Sequence, residues 1–296
     1  MSRDTRDDRE DAPQHTPDRP VDRDRSSRCV DVPSEGFALP RGDHREAVGH
    51  RDRVYHVRGS ESRILHTVGA FRVVPATDLA KGRSSADAFN EDLRHLSNQG
   101  LIERRTIPIN HEPTRVVVLT REGKALLDGR RDEGNVGRTQ QYHAGLVKPR
   151  ELAHDAQLYR LYQAEAGRLE DEGARIIRVV LDYELKREYQ TFLNRPDRST
   201  EGDGGEDIQA FATAHQLSVI DGHLELPDLR IEYETADGRL ESRDVELVTE
   251  HYSRGQLAGK ARAGFALYRA AGPGRLRGGS AHTGGTPLDP HHLERL

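Results

Sequence analysis

Two carboxylates in the C-terminal half are of the right type and placement for phosphodiester chemistry. Asp228 follows a proline in the strand-like run Leu224-Glu225-Leu226-Pro227-Asp228-Leu229-Arg230-Ile231-Glu232-Tyr233. Glu246 stands in a second such run, Arg243-Asp244-Val245-Glu246-Leu247-Val248-Thr249-Glu250. The Asp237-Gly238 pair between them is a strong hairpin turn, so the runs are expected to lie side by side. Two carboxylates on adjacent strands can hold Mg²⁺ against a phosphodiester, and a nearby lysine can orient water and offset developing charge. Lys260 lies on the helix that Ser253 is expected to cap, with Leu257, Ala261, Phe265 and Tyr268 on its inner face.

Other residues of reactive type carry less. His154 and Asp155 are neighbours near the start of a helix expected over 151–172, and adjacent helical positions point about 100° apart, so packing is the better reading of that pair. His291-His292 reads as an incidental surface feature. Cys29 is the only cysteine, which excludes an intramolecular disulfide, a CxxC pair and a cysteine-based zinc site.

The elements that must position these residues follow from periodicity. In the second half, residues 176–181 read as a strand, 183–193 as a helix and 207–215 as a short helix. An earlier segment has a different pattern. Ile64, Leu65 and Val68 give a first helix, 75–79 a short second one, and Ala86, Phe89, Leu93 and Leu96 a third with one apolar stripe. Ser84 with Asp87 reads as the start of the third helix, and Gly100 as its end. Residues 101–109 and 115–120 are β-runs separated by the turn-type residues Asn110, His111, Glu112 and Pro113. Thr120 then caps a fourth helix with Leu126 and Leu127 inward.

Composition sets the frame. Apolar residues make up 34% and charged residues 32% of the 296, so part of the chain must be solvated. The expected organisation is a disordered charged arm over 1–58, a globular segment over 59–131, a linker over 132–144, a second globular segment over 145–270, and a flexible tail over 271–296. The net charge of −5 argues against a chain built wholly to coat nucleic acid. No run approaches the roughly 18 apolar residues of a membrane helix, and no secretory signal opens the sequence, so a cytoplasmic protein without membrane partners is expected.

The order helix, helix, helix, hairpin, helix, carried by DLRHLSNQGLI and VVVLTREGKALL, resembles MarR-like winged helix-turn-helix domains. That resemblance implies DNA as partner, the third helix entering the major groove and the hairpin lying along the backbone. Between 61 and 131 there are twelve basic and nine acidic residues, a mild excess of the sign that phosphate needs. Arg83, Arg94, Arg104, Arg105 and Arg115 are the expected phosphate contacts, and Asn90 and Arg94 could reach bases. Asp87, Glu91 and Asp92 on the same helix oppose phosphate.

The second segment resembles the PD-(D/E)xK nuclease core. The resemblance makes Asp228 and Glu246 metal ligands and expects a lysine two residues after Glu246, on the same strand face. Val248 stands there, and Lys260 is the candidate for a displaced amine. The whole arrangement, through DLRHLSNQGLI, His154, LPDLRIEY, the VEL strand and the helix from Lys260 to Tyr268, resembles the replication-relaxation family of plasmids and other mobile elements. The expected fold is therefore α+β, a winged helix-turn-helix followed by an α/β restriction-endonuclease-like domain with disordered tails. The leading expectation is a DNA-binding protein whose second domain is a degenerate nuclease-like module. The alternatives are a Mg²⁺-dependent DNA endonuclease, and a winged-helix regulator with a sensor or dimerisation domain. Expected partners are DNA, a second copy, or other replication or conjugation proteins.

Overall fold

A computed structural model describes residues 29–109, 111–131, 140–146, 151–195, 204–270 and 286–287. Residues 29–58 are packed, where the sequence suggests a disordered arm. Val30, Val32, Phe37 and Leu39 are buried, and β1 (Glu46–His50) and β2 (Arg53–Val57) form an antiparallel hairpin that buries Val48, Tyr55 and Val57. The alternating acids and arginines of this stretch mask a sparse apolar set that docks on the helices beside it. The first 28 residues, the tail over 271–285 and 288–296, and His291-His292 lie outside the described residues.

Next come α1 (Gly59–Ala70), β3 (Val74–Pro75), α2 (Ala76–Leu79) and α3 (Ala86–Asn98). A hairpin of β4 (Ile102–Ile109) and β5 (Glu112–Leu119) follows, then α4 (Arg121–Asp128). The three strands form one antiparallel sheet in the order β3-β5-β4. Local chemistry sets the boundaries. The Ser85 hydroxyl accepts from Ala88 N at the start of α3, one residue later than expected, because Ser85 holds the extended backbone that a cap needs. Gly100 takes a φ of +75° that ends α3 in a turn feeding β4. Thr120 caps α4 by accepting from Gly123 N at 3.0 Å.

The second half starts with α5 (Leu152–Asp171), β6 (Arg175–Leu181) and α6 (Asp182–Leu193). After α7 (Gly204–His215) and the small pair β7 (Val219–Ile220) and β8 (His223–Leu224) come β9 (Leu229–Glu234) and β10 (Leu240–Val248). The chain continues with α8 (Arg254–Arg262), β11 (Ala266–Arg269) and β12 (Thr286–Pro287). The sheet order is β12-β11-β10-β9-β6. Strands β6, β9 and β10 are antiparallel neighbours, and β11 runs parallel to β10 after the crossover through α8. The helix expected to reach Tyr268 stops at Arg262. Gly264 at φ +83° breaks it, and Phe265, Leu267 and Tyr268 go into and beside the strand that follows.

One buried apolar cluster runs through both halves, from Val30 to Tyr268. Phe71 at the end of α1 packs against Tyr159 and Tyr162 of α5, with ring centroids 5.2 and 5.3 Å apart. The bridge between the halves is also anchored. Tyr142 is buried and its hydroxyl lies 2.5 Å from His66 Nδ1 on α1. Gln140 gives its amide to Val179 O at 2.9 Å and its carbonyl to Val179 N at 2.8 Å, on the open side of β6. No helix among the described residues is long and apolar enough to cross a membrane.

Burial pushes the His66 imidazole down to about 3, with Arg41 adding to the effect. Its folded-state value lies below the unfolded one, so the unfolded chain binds the proton first. The stability from a neutral His66 is present above about pH 6.5 and is lost as pH falls from there toward 3, by up to ~5 kcal/mol at ~1.4 kcal/mol per pH unit. Between pH 7.5 and 5 His66 alone is expected to withdraw ~2 kcal/mol of stability. Denaturant melts isolate it by comparison: the change in stability between the two pH values should be ~2 kcal/mol more favourable to pH 5 in a His66→Gln chain than in wild type.

Candidate functional site

Asp228 and Glu246 meet at the end of the β9–β10 ladder. The last pair in register is Val245 with Leu229, which puts Asp228 and Glu246 one step beyond it. Asp228 N donates to Glu246 Oε2 at 3.2 Å, and Leu247 N donates to Asp228 Oδ2 at 2.9 Å. Each acid is thus tied to the other strand's backbone, and the two side chains converge. Lys260 reaches the same point from α8. Its Nζ lies 3.3 Å from Glu246 Oε1 and 3.4 Å from Glu225 Oε2, and it donates to Leu226 O at 2.6 Å. The Phe265 ring sits 4.9 Å from that ammonium. Val248 lies in an apolar cluster with Phe265 and Leu267. An amine on the strand at 248 would be buried there without water, while one on α8 enters from the polar side.

Sequence reasoning did not foresee three other members of the site. His154, read as packing, bridges two acids: Nδ1 lies 3.3 Å from Asp155 Oδ1 and Nε2 lies 3.4 Å from Asp228 Oδ2. The angle between adjacent helical residues concerns that pair alone, and the second acid that His154 meets, Asp228, lies just before β9. Tyr252, in the turn between β10 and α8, donates its hydroxyl to Glu246 Oε1 at 2.5 Å. Lys186 of α6 hydrogen-bonds Asp182 at 2.6 Å, and Asp182 N donates to Asp228 O at 3.1 Å. For His154 the sequence offered the helix start near 151, its acid neighbour and its place in the family resemblance; for Tyr252 and Lys186 it offered no sign.

The electrostatics follow from burial among charges. Side-chain exposure is 32% for His154, 15% for Asp228, 13% for Lys260 and 3% for Glu246. Burial alone would depress the His154 imidazole, but its hydrogen bonds to Asp155 and Asp228 outweigh this and lift it to about 10. Burial and then the neighbouring Asp228 charge raise the Glu246 carboxyl, against the pull of Lys260 and Tyr252. Partial burial of Lys186 works to lower it, but the Asp182 hydrogen bond and the fields of Asp228 and Glu246 win and raise it.

Among the described residues no group of three or more His, Cys, Asp or Glu side chains is arranged to hold a metal ion. Two carboxylates are nevertheless an adequate protein share for Mg²⁺, which keeps several waters and takes one or two carboxylates. Asp228 Oδ2 and both Glu246 oxygens accept from protein donors. No such donor is seen at Asp228 Oδ1 among the described residues. Asp228 Oδ1 is thus the oxygen of the pair open to a ligand, while Glu246 would have to release a protein donor to share a metal with it.

A second surface lies on the first half. Asn90 and Arg94 are exposed on α3, and Arg104 and Arg115 are exposed on the β4–β5 hairpin. Thr106 pairs with Arg115 and Arg104 with Val117, so alternation puts Arg104 and Arg115 on one face of the hairpin. Arg105 lies on the other face and pairs with Glu103 at 2.7 Å. Arg83 departs from expectation as a phosphate contact. It is 14% exposed, holds Asp31 in two hydrogen bonds of 2.5 and 3.1 Å, and faces the packed segment before β1.

Two of the α3 acids expected to oppose phosphate are neutralised. Arg58 holds buried Asp92 through Nε at 2.8 Å and Nη2 at 2.5 Å, and Arg45 holds Glu91 at 3.1 Å. Both arginines come from residues 29–58, beside buried Glu61, which Arg45 and His95 also hold. Removing Arg58 leaves the buried Asp92 carboxylate short of its main partner. Arg58→Ala is expected to cost ~3–5 kcal/mol in a denaturant melt, and Arg58→Ala/Asp92→Asn should recover much of it.

No family model matches this chain, and no curated protein or solved structure matches it.

Proposed function

We propose that this protein binds double-stranded DNA through a winged helix-turn-helix formed by α1–α4 and cleaves a phosphodiester with a PD-(D/E)xK-like second half, as a member of the replication-relaxation type. The observation that carries the reading is the meeting of Asp228, Glu246 and Lys260. An acid at the mouth of one strand, an acid on the next and an amine beside them form the set that metal-assisted phosphodiester hydrolysis needs. The element order around them supports it: helix α5, the antiparallel run β6-β9-β10, the crossover helix α8 and parallel β11. In the first half, the order α1-β3-α2-α3-β4-β5-α4, with β3 paired to β5, supports the winged-helix reading.

Asp228 and Glu246 would hold Mg²⁺, which when bound supplies an activated water and neutralises charge on the phosphate. Lys260 offsets the charge that grows on the phosphate oxygens, and Leu226 O and Phe265 fix its ammonium. Tyr252 orients Glu246. The net reaction adds water across one P–O bond, with the proton released to solvent.

One observation favours a second reading, in which the half around the acids is a degenerate module used for binding or assembly. Glu246 is almost fully enclosed and both its oxygens are already engaged. Supercoiled plasmid incubated with the protein and Mg²⁺ or Mn²⁺ separates the two. Open circles that require the metal support hydrolysis. A gel shift without cleavage under any metal supports the binding module, and no shift at low salt would remove DNA as the partner.

A further inference from the structure

Arg72 belongs to the first half by sequence, just after α1, yet its guanidinium serves the second. Nη2 hydrogen-bonds Glu151 Oε2 at 2.7 Å, Nε lies 3.4 Å from Asp155 Oδ2, and the group sits 5.1 Å from the centre of the Tyr183 ring on α6. Asp155 Oδ2 is buried and accepts no hydrogen bond, so the charge it faces is that of Arg72. The other Asp155 oxygen meets His154 Nδ1, and His154 Nε2 meets Asp228 Oδ2. Four charges of alternating sign therefore run from the loop after α1 to the acid pair.

These contacts answer a geometric problem. His154 and Asp155 are adjacent on α5 and leave the helix in diverging directions. They touch only if something fixes the Asp155 side chain on the His154 side. Arg72 is placed to do this, since it is anchored by Glu151 one turn earlier and by the Tyr183 ring. We propose that Arg72 is a positioning residue for the acid site. It fixes Asp155, Asp155 turns His154, and His154 with Leu247 N holds one oxygen of Asp228, leaving the other to face the ligand. The half that binds DNA thereby completes the site in the other half. The consequence for cleavage rests on the hydrolase reading, but the positioning itself does not.

The test uses the full chain. With ¹⁵N-histidine labelling and neither DNA nor metal, the His154 ring resonances are assigned by their loss in His154→Ala. Arg72→Ala is expected to shift or broaden them, and an unchanged His154 signal overturns the proposal. Arg72→Lys keeps the charge but not the two-pronged hold. It should give the same change to a smaller degree, and it carries the test if the alanine chain does not fold. In plasmid nicking at saturating DNA, Arg72→Ala should be about tenfold slower with DNA affinity unchanged, the scale of losing a group behind a ligand. Arg72→Ala/His154→Ala should be no slower than His154→Ala alone, because the two act in series. Effects that multiply would show separate roles and overturn the proposal. Absence of nicking by wild type defeats the hydrolase reading, and the histidine spectra still decide the positioning.

Discussion

Glu246→Ala and Asp228→Ala are each expected to lower metal-dependent nicking by at least about 100-fold while leaving the gel shift within about twofold of wild type. Loss of either carboxylate removes half of the protein's share of a Mg²⁺ site, and an electrostatic contribution of this kind is typically worth two to three orders of magnitude. Binding should survive because the exposed arginines lie on α3 and the β4–β5 hairpin, on separate elements from the acids. Lys260→Ala should fall in the same range, and Lys260→Arg should not restore it, since the ammonium is fitted between Glu246, Glu225 and Leu226 O. Agarose gels of supercoiled and open-circle plasmid, with time courses at several Mn²⁺ concentrations, measure all four. Nicking retained in Glu246→Ala would remove Glu246 from the chemistry and leave the cluster as packing.

The second large effect concerns DNA affinity. Arg104→Glu/Arg115→Glu is expected to weaken binding on every sequence alike and to reduce the dependence of log K on log salt by about 2, at ~0.9 for each phosphate no longer neutralised. Asn90→Ala and Arg94→Ala should behave differently. From their exposed place on α3 they would alter preference between sequences by about 1–3 kcal/mol for each base no longer read. Arg83→Ala is a useful contrast, since Arg83 is occupied by Asp31. It should lower stability with little change in salt dependence. Fluorescence anisotropy between about 50 and 300 mM salt reads these slopes, and an unchanged slope for the double charge reversal would sink the assignment of that hairpin face.

The apolar stripe of α3, the hairpin over β4 and β5, the Thr120 cap and the Asp237-Gly238 turn were legible in the sequence, because each is a local signal. The pairing that brings Asp228 to Glu246 was legible for the same reason, since one tight turn joins the two strands. Three kinds of feature were hidden. Residues 29–58 looked disordered because their charges outnumber the few apolar side chains, and burial of Val30, Val32, Phe37 and Leu39 depends on helices formed later in the chain. His154 read as packing because one of its two acid partners, Asp228, is separated from it along the chain by β6, α6, α7, β7 and β8. Phe265 and Tyr268 continue a helical spacing that Gly264 interrupts, so period alone misplaces β11.

Gln140 has a consequence for how this protein can be divided. Strand β6 is the last in its sheet, and its open side carries the N–H and C=O of Val179. The Gln140 side chain supplies both bonds that a neighbouring strand would have made there. A piece beginning at α5 would leave this edge free to recruit a strand from another copy, the usual route to edge-to-edge association. The stretch between the halves, which reads as a spacer in the sequence, therefore acts as a guard on the sheet. In the full chain, Gln140→Ala should associate at concentrations where wild type stays monodisperse.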